Sequence, residues 1–155
     1  MSEQSPNSMA QAAIEQRLYR EGRFEPARPD MIFVFGSNEA GVHGAGAAKF
    51  AHLNRGARPG MSFGPTGMSF AIPTKDATIR KTLPLRDIER YVKHFLQYAQ
   101  DNNHQTFQVT AIGCGLAGLR HEQVSVLFYR APKNCLFDTV WENHLPNRAR
   151  FWGTF

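Results

Sequence analysis

Residues 31–53, MIFVFGSNEAGVHGAGAAKFAHL, contain the pattern that decides the fold. The segment begins with an apolar run rich in β-formers, Met31 to Phe35, which ends at Gly36 as a buried strand would. After His43 the glycines give way to helix-forming alanines, and the apolar Phe50 and Leu53 lie three residues apart. The stretch therefore predicts a strand, a glycine loop and a helix, in that order.

The rest of the chain repeats this alternation. A Gly/Pro-rich connection at 56–67 leads to a second strand at 69–73, which should end near Pro73 because proline cannot donate to a strand ladder. A helix follows Pro84 and stops at Asp101, with apolar side chains at helical spacing: Ile88, Tyr91, Val92, Phe95 and Ala99. The later elements are a strand at 107–112, a glycine loop at 113–118, a helix at 122–129, a strand at 134–137 and a tail at 148–155. That tail either adds a strand or packs across the surface. The order predicts an α/β domain with helices on both faces of the sheet.

Composition and charge limit the classes of protein that the chain can belong to. Its 155 residues, 42% of them hydrophobic, suit one folded domain. No apolar run is long enough to span a bilayer, and Met1 to Asn7 have no signal-peptide pattern, so we expect a cytoplasmic protein without a membrane partner. Cys114 and Cys135 are interpreted as buried thiols, and no metal-ligand spacing occurs. The net charge of +5 suits an anionic partner, either a nucleic acid or a phosphorylated metabolite.

The chain is predicted to have two parts. Residues 1–30 form a partly flexible N-terminal arm that is rich in Ser, Gln, Asn and Pro, and residues 31–155 form the domain proper. Within the arm, the apolar spacing over Ala12 to Tyr19 permits a short amphipathic helix.

Two glycine loops are the candidate ligand-binding elements. The first glycine loop spans residues 36–48 and opens a helix, and the second glycine loop spans residues 113–118. Both follow strands, and ligands of such sheets bind at the carboxyl ends of the strands. Glycine lets backbone N–H groups approach phosphate oxygens closely, so two such loops could clasp a diphosphate. Neither the dinucleotide fingerprint nor a P-loop is present, and the alternative is that the glycines only make tight turns.

These motifs resemble the macro domains, a family that binds ADP-ribose with its diphosphate between two glycine-rich loops. Over residues 31–141, Ser37-Asn38 followed by Gly44-Ala45-Gly46-Ala47 is similar to the first family motif in offset and order. Ile112-Gly113-Cys114-Gly115-Leu116 is similar to the branch of the terminal ADP-ribose protein glycohydrolase. The resemblance implies a three-layer α/β/α fold with a mixed sheet, and it implies binding of ADP-ribose or an ADP-ribosylated macromolecule with no cofactor. It also implies ligand contacts from Ser37, Asn38, His43, Gly44, Ala45, Gly46, Ala47, Gly113, Cys114, Gly115, Leu116, Ala117 and Gly118.

The resemblance leaves catalysis open. Lys75 matches the lysine that attacks the ribose in the glycohydrolase branch, and Asp76 follows it directly. The acids that the two hydrolase branches use are replaced here by Ala117 and Ala48. Lys75 would then be a nucleophile only if another acid assists, the candidates being Asp76, Glu39 and His43. The chain is thus either a reader of ADP-ribose or a hydrolase of ADP-ribosyl linkages.

Several residues have a second interpretation. Cys114 could be a nucleophile with a low pKa, but it is better explained as a small loop residue. Trp141, Phe137 and Phe24 could stack on a nucleobase, although core positions are more usual for them. The alternative function is a basic nucleic-acid-binding module, whose phosphate contacts would be Arg17, Arg20, Arg23, Arg28, Arg55, Arg58, Arg148 and Arg150.

Overall fold

The computed structural model describes residues 6–155 as a mixed sheet of six strands with helices on both faces. The strands are β1 (Ile32–Asn38), β2 (Gly64–Thr66), β3 (Ser69–Lys75), β4 (Phe107–Val109), β5 (Cys135–Asp138) and β6 (Arg150–Gly153). The helices are α1 (Pro6–Arg20), α2 (Gly46–Asn54), α3 (Leu85–Asp101) and α4 (His121–Ser125), and 3₁₀ turns span Val126–Phe128 and Thr139–His144. The predicted α/β class with three layers is confirmed.

The strand order is β2-β3-β1-β4-β5-β6, and every neighbouring pair is parallel except β2 with β3. Strand β1 is apolar from Ile32 to Phe35 because both of its faces are covered there. Ile32 and Val34 face the larger core, which includes Val92 and Phe95 of α3, whereas Phe33 and Phe35 face the smaller core under α2. The central strand therefore joins the two cores and carries the first glycine loop at its carboxyl end.

Two strands depart from their predicted bounds for local reasons. Strand β3 continues past Pro73 to Lys75, because β2 pairs only as far as Ala71 and leaves the outer side of Pro73 without a strand partner. Strand β4 ends at Val109 instead of Ile112. Directly after Val109, the backbone N–H and the hydroxyl of Thr110 both donate to the Val34 carbonyl. Strand β2 itself lies within the segment that was predicted to be a connection.

The later elements also differ in detail from the predictions. The helix predicted at 122–129 is α4 followed by a 3₁₀ turn, and the strand predicted at 134–137 begins and ends one residue later as β5. The tail adds a strand, β6, which was one of the two alternatives. The predicted long helix is confirmed as α3, whose buried side chains are Ile88, Val92, Phe95 and Ala99.

The N-terminal segment packs on the domain. Leu18 of α1 is fully buried in the larger core, and Gln11 hydrogen-bonds to Thr139. Beyond α1, the N–H of Glu25 donates to the Phe151 carbonyl, and the Phe151 N–H donates to the carbonyl of Arg23. Met1–Ser5, the beginning of the predicted arm, lie outside the described residues, and the boundary at residue 30 stays a prediction. Within residues 6–155, none of the helices has the length and apolar character needed to cross a membrane.

Candidate functional site

A cleft of about 560 Å³ lies at the carboxyl ends of the parallel strands. Each of these strands contributes to its wall: Asn38 ends β1, Lys75 ends β3, Thr110 follows β4, Asp138 ends β5 and Thr154 follows β6. Cleft formation at this end is the general behaviour of open α/β sheets, because the loops that leave the strands gather there. The sheet topology thus places both glycine loops on one cavity.

Most of the predicted site residues lie on the cleft wall. They are Ser37, Asn38, Gly44, Ala45, Gly46 and Ala47 of the first glycine loop, Lys75, and Gly113, Cys114, Gly115, Leu116 and Ala117 of the second. Three predicted residues, His43, Asp76 and Gly118, are not among the residues that line it.

The first glycine loop is shaped by Asn38. Its side-chain amide donates to the Val42 carbonyl at 2.8 Å and accepts from the Val42 N–H at 3.0 Å, so both of its polar groups hold the loop. Further along, Gly41 packs directly on the backbone of Gly60, whose N–H donates to the Gly41 carbonyl. Asn38 therefore has a structural role in addition to its place on the wall.

His43 lies beneath the first glycine loop. It is 7% exposed, its ring meets Phe35 edge-on, and its Nε2 is 3.4 Å from the hydroxyl of Ser37. Burial lowers the pKa of His43, which favours the neutral ring. The side chain supports the loop from inside and does not reach the cleft.

The second glycine loop turns tightly between β4 and α4. Gly113 has a φ of +77°, and its carbonyl accepts from the Leu119 N–H, which closes the loop. The Thr82 hydroxyl donates to the Ala117 carbonyl and ties the loop to the segment after β3. No described residue accepts a hydrogen bond from the backbone N–H of Gly115, Leu116 or Ala117. The exposed side of this loop therefore offers backbone donors to the cleft.

The two loops approach each other at two places, and the first is Gly36, where a Cβ would lie 3.4 Å from the backbone nitrogen of Gly113. A Cβ at Gly46, in the first turn of α2, would lie 3.6 Å from Cδ1 of Leu116. Ala45, the residue before α2, has no side chain that caps the helix N-terminus. Backbone donors at the start of a nine-residue helix thus lie opposite those of the second glycine loop, which is a suitable arrangement for an anionic group between them.

Lys75 and Asp76 are separated by the structure. Lys75 pairs with Asn38 in the register of β3 with β1 and lines the cleft. The Asp76 carboxylate accepts from the N–H and the hydroxyl of Thr78, and the Thr78 hydroxyl is the main cause of its lowered pKa. Ile79 reaches the cleft wall in place of Asp76, with a φ of +66° that is rare for a β-branched residue.

The other sequence candidates for an acid are also directed elsewhere. Glu39 accepts a hydrogen bond from the Tyr91 hydroxyl at 3.0 Å and is absent from the wall, as is His43. Ala48 and Ala117, which stand where the family resemblance implies an acid, both line the cleft. These two positions of the wall therefore have no carboxylate. The carboxylate on the wall is that of Asp138, which is 2% exposed and accepts from the backbone N–H groups of Val140 and Phe155.

Cys114 and the candidate stacking residues have structural positions. Burial raises the pKa of Cys114 to about 11, so the thiol is not activated as a nucleophile. Trp141 and Phe137 are buried in the larger core, and Phe24 packs against it. Phe155, which is 58% exposed, lines the cleft instead.

Sequence reasoning missed Asp138, Phe155 and His121. Asp138 follows the predicted strand by one residue, so the rule that ligands meet strand ends could have found it. His121 is the first residue of α4, and nothing in its sequence spacing pointed to the cleft.

Most of the arginines of the nucleic-acid alternative are engaged within the domain. Arg17 pairs with Glu142, Arg28 pairs with Asp30, and Arg23 donates to the Ala149 carbonyl. Arg55 donates to the Met31 carbonyl and lies over the Phe33 ring. Arg148 and Arg150 also have partners, the Tyr129 carbonyl and Glu25.

Comparisons with known proteins agree with this fold. The chain matches no protein-family model and no curated protein by sequence. Among solved structures it is similar to one described as Thermosipho africanus DarTG in complex with ADP-ribose, with a TM-score of 0.50 and 17% identity. The match covers 78% of this chain and 39% of that chain, so the present chain spans well under half of its neighbour's length. At this identity the likeness establishes the fold, a macro-domain-like three-layer α/β architecture.

Proposed function

We propose that the chain binds ADP-ribose, free or attached to a macromolecule, in the cleft between the two glycine loops. The observation that carries the proposal is the arrangement of backbone donors on both sides of one cavity: the first turn of α2 and the N–H groups of Gly115, Leu116 and Ala117. A diphosphate is the group that such opposed donors suit, because backbone N–H groups bind phosphate oxygens without needing a cationic side chain.

The rest of the cleft suits the remainder of such a ligand. Lys75 is the cationic side chain on the wall, and it pairs in register with Asn38. Besides its bonds to Val42, the Asn38 amide has a second N–H and a second oxygen lone pair that suit a ribose hydroxyl. The exposed Phe155 gives a nucleobase an aromatic surface. The fold is also similar to that of a chain whose structure is described as a complex with ADP-ribose, which supports the same ligand class.

We propose binding, rather than hydrolysis, as the function of the site. A lysine nucleophile needs a proton donor for the leaving group, and Ala48 and Ala117 supply none. Asp76 is held by Thr78 outside the cleft, and the carboxylate of Asp138 already accepts two backbone hydrogen bonds. The same site without an efficient acid is sufficient for a reader of ADP-ribose.

The first test is calorimetric titration of the native protein and Gly115→Glu with ADP-ribose, AMP and a short oligonucleotide in one buffer. A Cβ at Gly115 meets nothing within 4 Å and its φ is not positive, so the substitution should leave the fold intact while its carboxylate occupies the phosphate region. We expect saturable binding of ADP-ribose that Gly115→Glu weakens at least about 100-fold through steric and like-charge exclusion. Gln100→Glu adds the same charge in the last turn of α3, which does not line the cleft, and should bind normally.

Two results would reject the proposal. One is the absence of ADP-ribose binding together with salt-sensitive oligonucleotide binding, which would favour the basic surface. The other is release of ADP-ribose from an ADP-ribosylated protein by the native chain but not by Lys75→Ala, which would make the site a hydrolase.

A further inference from the structure

His121 is a cleft residue whose ring is fixed by a buried partner. The indole N–H of Trp141, a fully buried side chain, donates to Nδ1 of His121 at 3.0 Å. An indole nitrogen is a donor only, so Nδ1 must be the unprotonated nitrogen of the ring. The proton of the neutral imidazole is therefore on Nε2.

The proton on Nε2 is on the side of the ring away from Trp141. The two imidazole nitrogens point in widely different directions, and Nδ1 is directed at the buried Trp141 while the ring itself lines the cavity. No described residue is a hydrogen-bond partner of Nε2. The His121 ring is also stacked with the ring of His144, and the two ring centroids are 6.2 Å apart. His121 thus has one fixed nitrogen and one available donor.

The second glycine loop is the part of the cleft wall that precedes His121 directly in the chain. His121 begins α4, four residues after Ala117 of that loop, and both residues line the cleft. A donor beside exposed backbone N–H groups adds to a phosphate site, because phosphate oxygens accept several hydrogen bonds at once. Restriction of the ring by Trp141 lowers the entropy that is lost when the ligand binds.

We propose that His121 donates a hydrogen bond from Nε2 to a phosphate oxygen of the ligand held by the second glycine loop. The inference rests on the proposed function and adds a side-chain contact to it. Trp141 acts as the positioning residue, since it selects the tautomer without touching the ligand.

Three variants test the contact in the full chain. His121→Phe keeps the ring shape and removes both nitrogens, and we expect it to weaken ADP-ribose binding about 10-fold or more, as loss of a hydrogen bond to a charged group does. His121→Gln keeps a side-chain N–H donor and should bind within about threefold of the native protein. His144→Phe keeps the stacking surface and should leave the affinity unchanged, because His144 is not on the cleft wall.

Nitrogen NMR of the native protein supplies an independent readout. The free protein should show the Nε2–H tautomer of His121, identified by the loss of its signals in His121→Gln. Saturating ADP-ribose should shift Nε2 far more than Nδ1. This measurement decides the question even if His121→Phe does not fold.

The outcomes separate the two proposals. Native-like affinity of folded His121→Phe, or an Nε2 signal that ADP-ribose does not change, overturns the role of His121 while the cleft remains the binding site. A native protein that does not bind ADP-ribose overturns the proposed function, and the contact with it.

Discussion

The two glycine loops face the same cleft but are supported in different ways. In the first, a Cβ at Gly41 would lie 2.5 Å from the carbonyl carbon of Gly60, so main chain packs on main chain. In the second, a Cβ at Gly113 would lie 3.0 Å from the end of the Leu119 side chain, which can move. Gly44 and Gly115, in contrast, have open space where a side chain would begin. Each loop therefore contains a glycine that the fold requires, Gly41 or Gly113, and a glycine that keeps the cleft open, Gly44 or Gly115.

The largest effect should come from Gly41→Ala. Its φ of +70° and its contact with the backbone of Gly60 leave no room for a Cβ. We expect the free energy of unfolding to fall by about 3 kcal/mol, measured by urea denaturation. Gly113→Ala, with a similar φ but a flexible neighbour, should lose about half as much.

Gly22→Ala is the control for this pair. Gly22 has a φ of +72° and nothing within 4 Å, so it reports the cost of the left-handed conformation alone, about 1 kcal/mol. Equal losses in all three variants would show that the difference in support between the two loops has no energetic consequence.

Gly44→Glu should affect binding and not stability. The nearest atom to a Cβ at Gly44 is a methyl of Val42 at 4.0 Å, so the unfolding free energy should stay within about 0.5 kcal/mol of native. The carboxylate would enter the phosphate region, and we expect ADP-ribose affinity to fall about 100-fold in calorimetry. Gly44→Ala, which adds no charge, is the matched control. If Gly44→Glu binds normally while Gly115→Glu does not, only the second loop holds the diphosphate.

The thiol of the second loop should react slowly. Its pKa of about 11, against 9.0 for an unperturbed thiol, lowers the thiolate fraction at pH 8 about 100-fold. Alkylation of Cys114 by iodoacetamide, followed by peptide mass spectrometry, should accelerate as the pH rises and level off only above pH 11 or so. Rapid alkylation at pH 7 would contradict the structural role that we assign to Cys114.

The smallest effect should come from Asp76→Asn. Asp76 is outside the cleft, so ADP-ribose affinity should remain within about twofold of native in calorimetry. The hydrogen bonds from Thr78 lower the pKa of this carboxyl, so its contribution to stability is present above its ordinary pKa and lost as the pH falls through the lowered value. The variant should therefore differ slightly from native near neutral pH and not in strong acid. A large loss of affinity would bring Asp76 back into the site.

The sequence predicted those parts of the fold that periodicity encodes. The apolar run of β1, the spacing of Ile88, Val92 and Phe95 in α3 and the two glycine loops each follow from local patterns. Strand β2 could not be predicted, because three residues with Pro65 at the centre carry no alternation and form a strand only by pairing with β3.

The candidate site could be predicted where it consists of loop backbone, and less well where it depends on side-chain direction. Lys75 and Asp76 are adjacent in sequence, yet the turn after β3 sends one to the cleft and the other to Thr78. His121 is a cleft residue because of Trp141, twenty positions away, and no local pattern encodes that partnership.

Pairing of the segment at 23–27 with β6 has a consequence for aggregation. An outer strand with free N–H and carbonyl groups is a template for strands of other molecules. Here the N–H groups of Glu25 and Ala27 donate to the carbonyls of Phe151 and Trp152. At the opposite edge of the sheet, β2 contains Pro65, which has no N–H to donate. Both borders of the sheet are thereby blocked, and a chain trimmed to its predicted domain start at residue 31 would expose β6 and tend to self-associate through it.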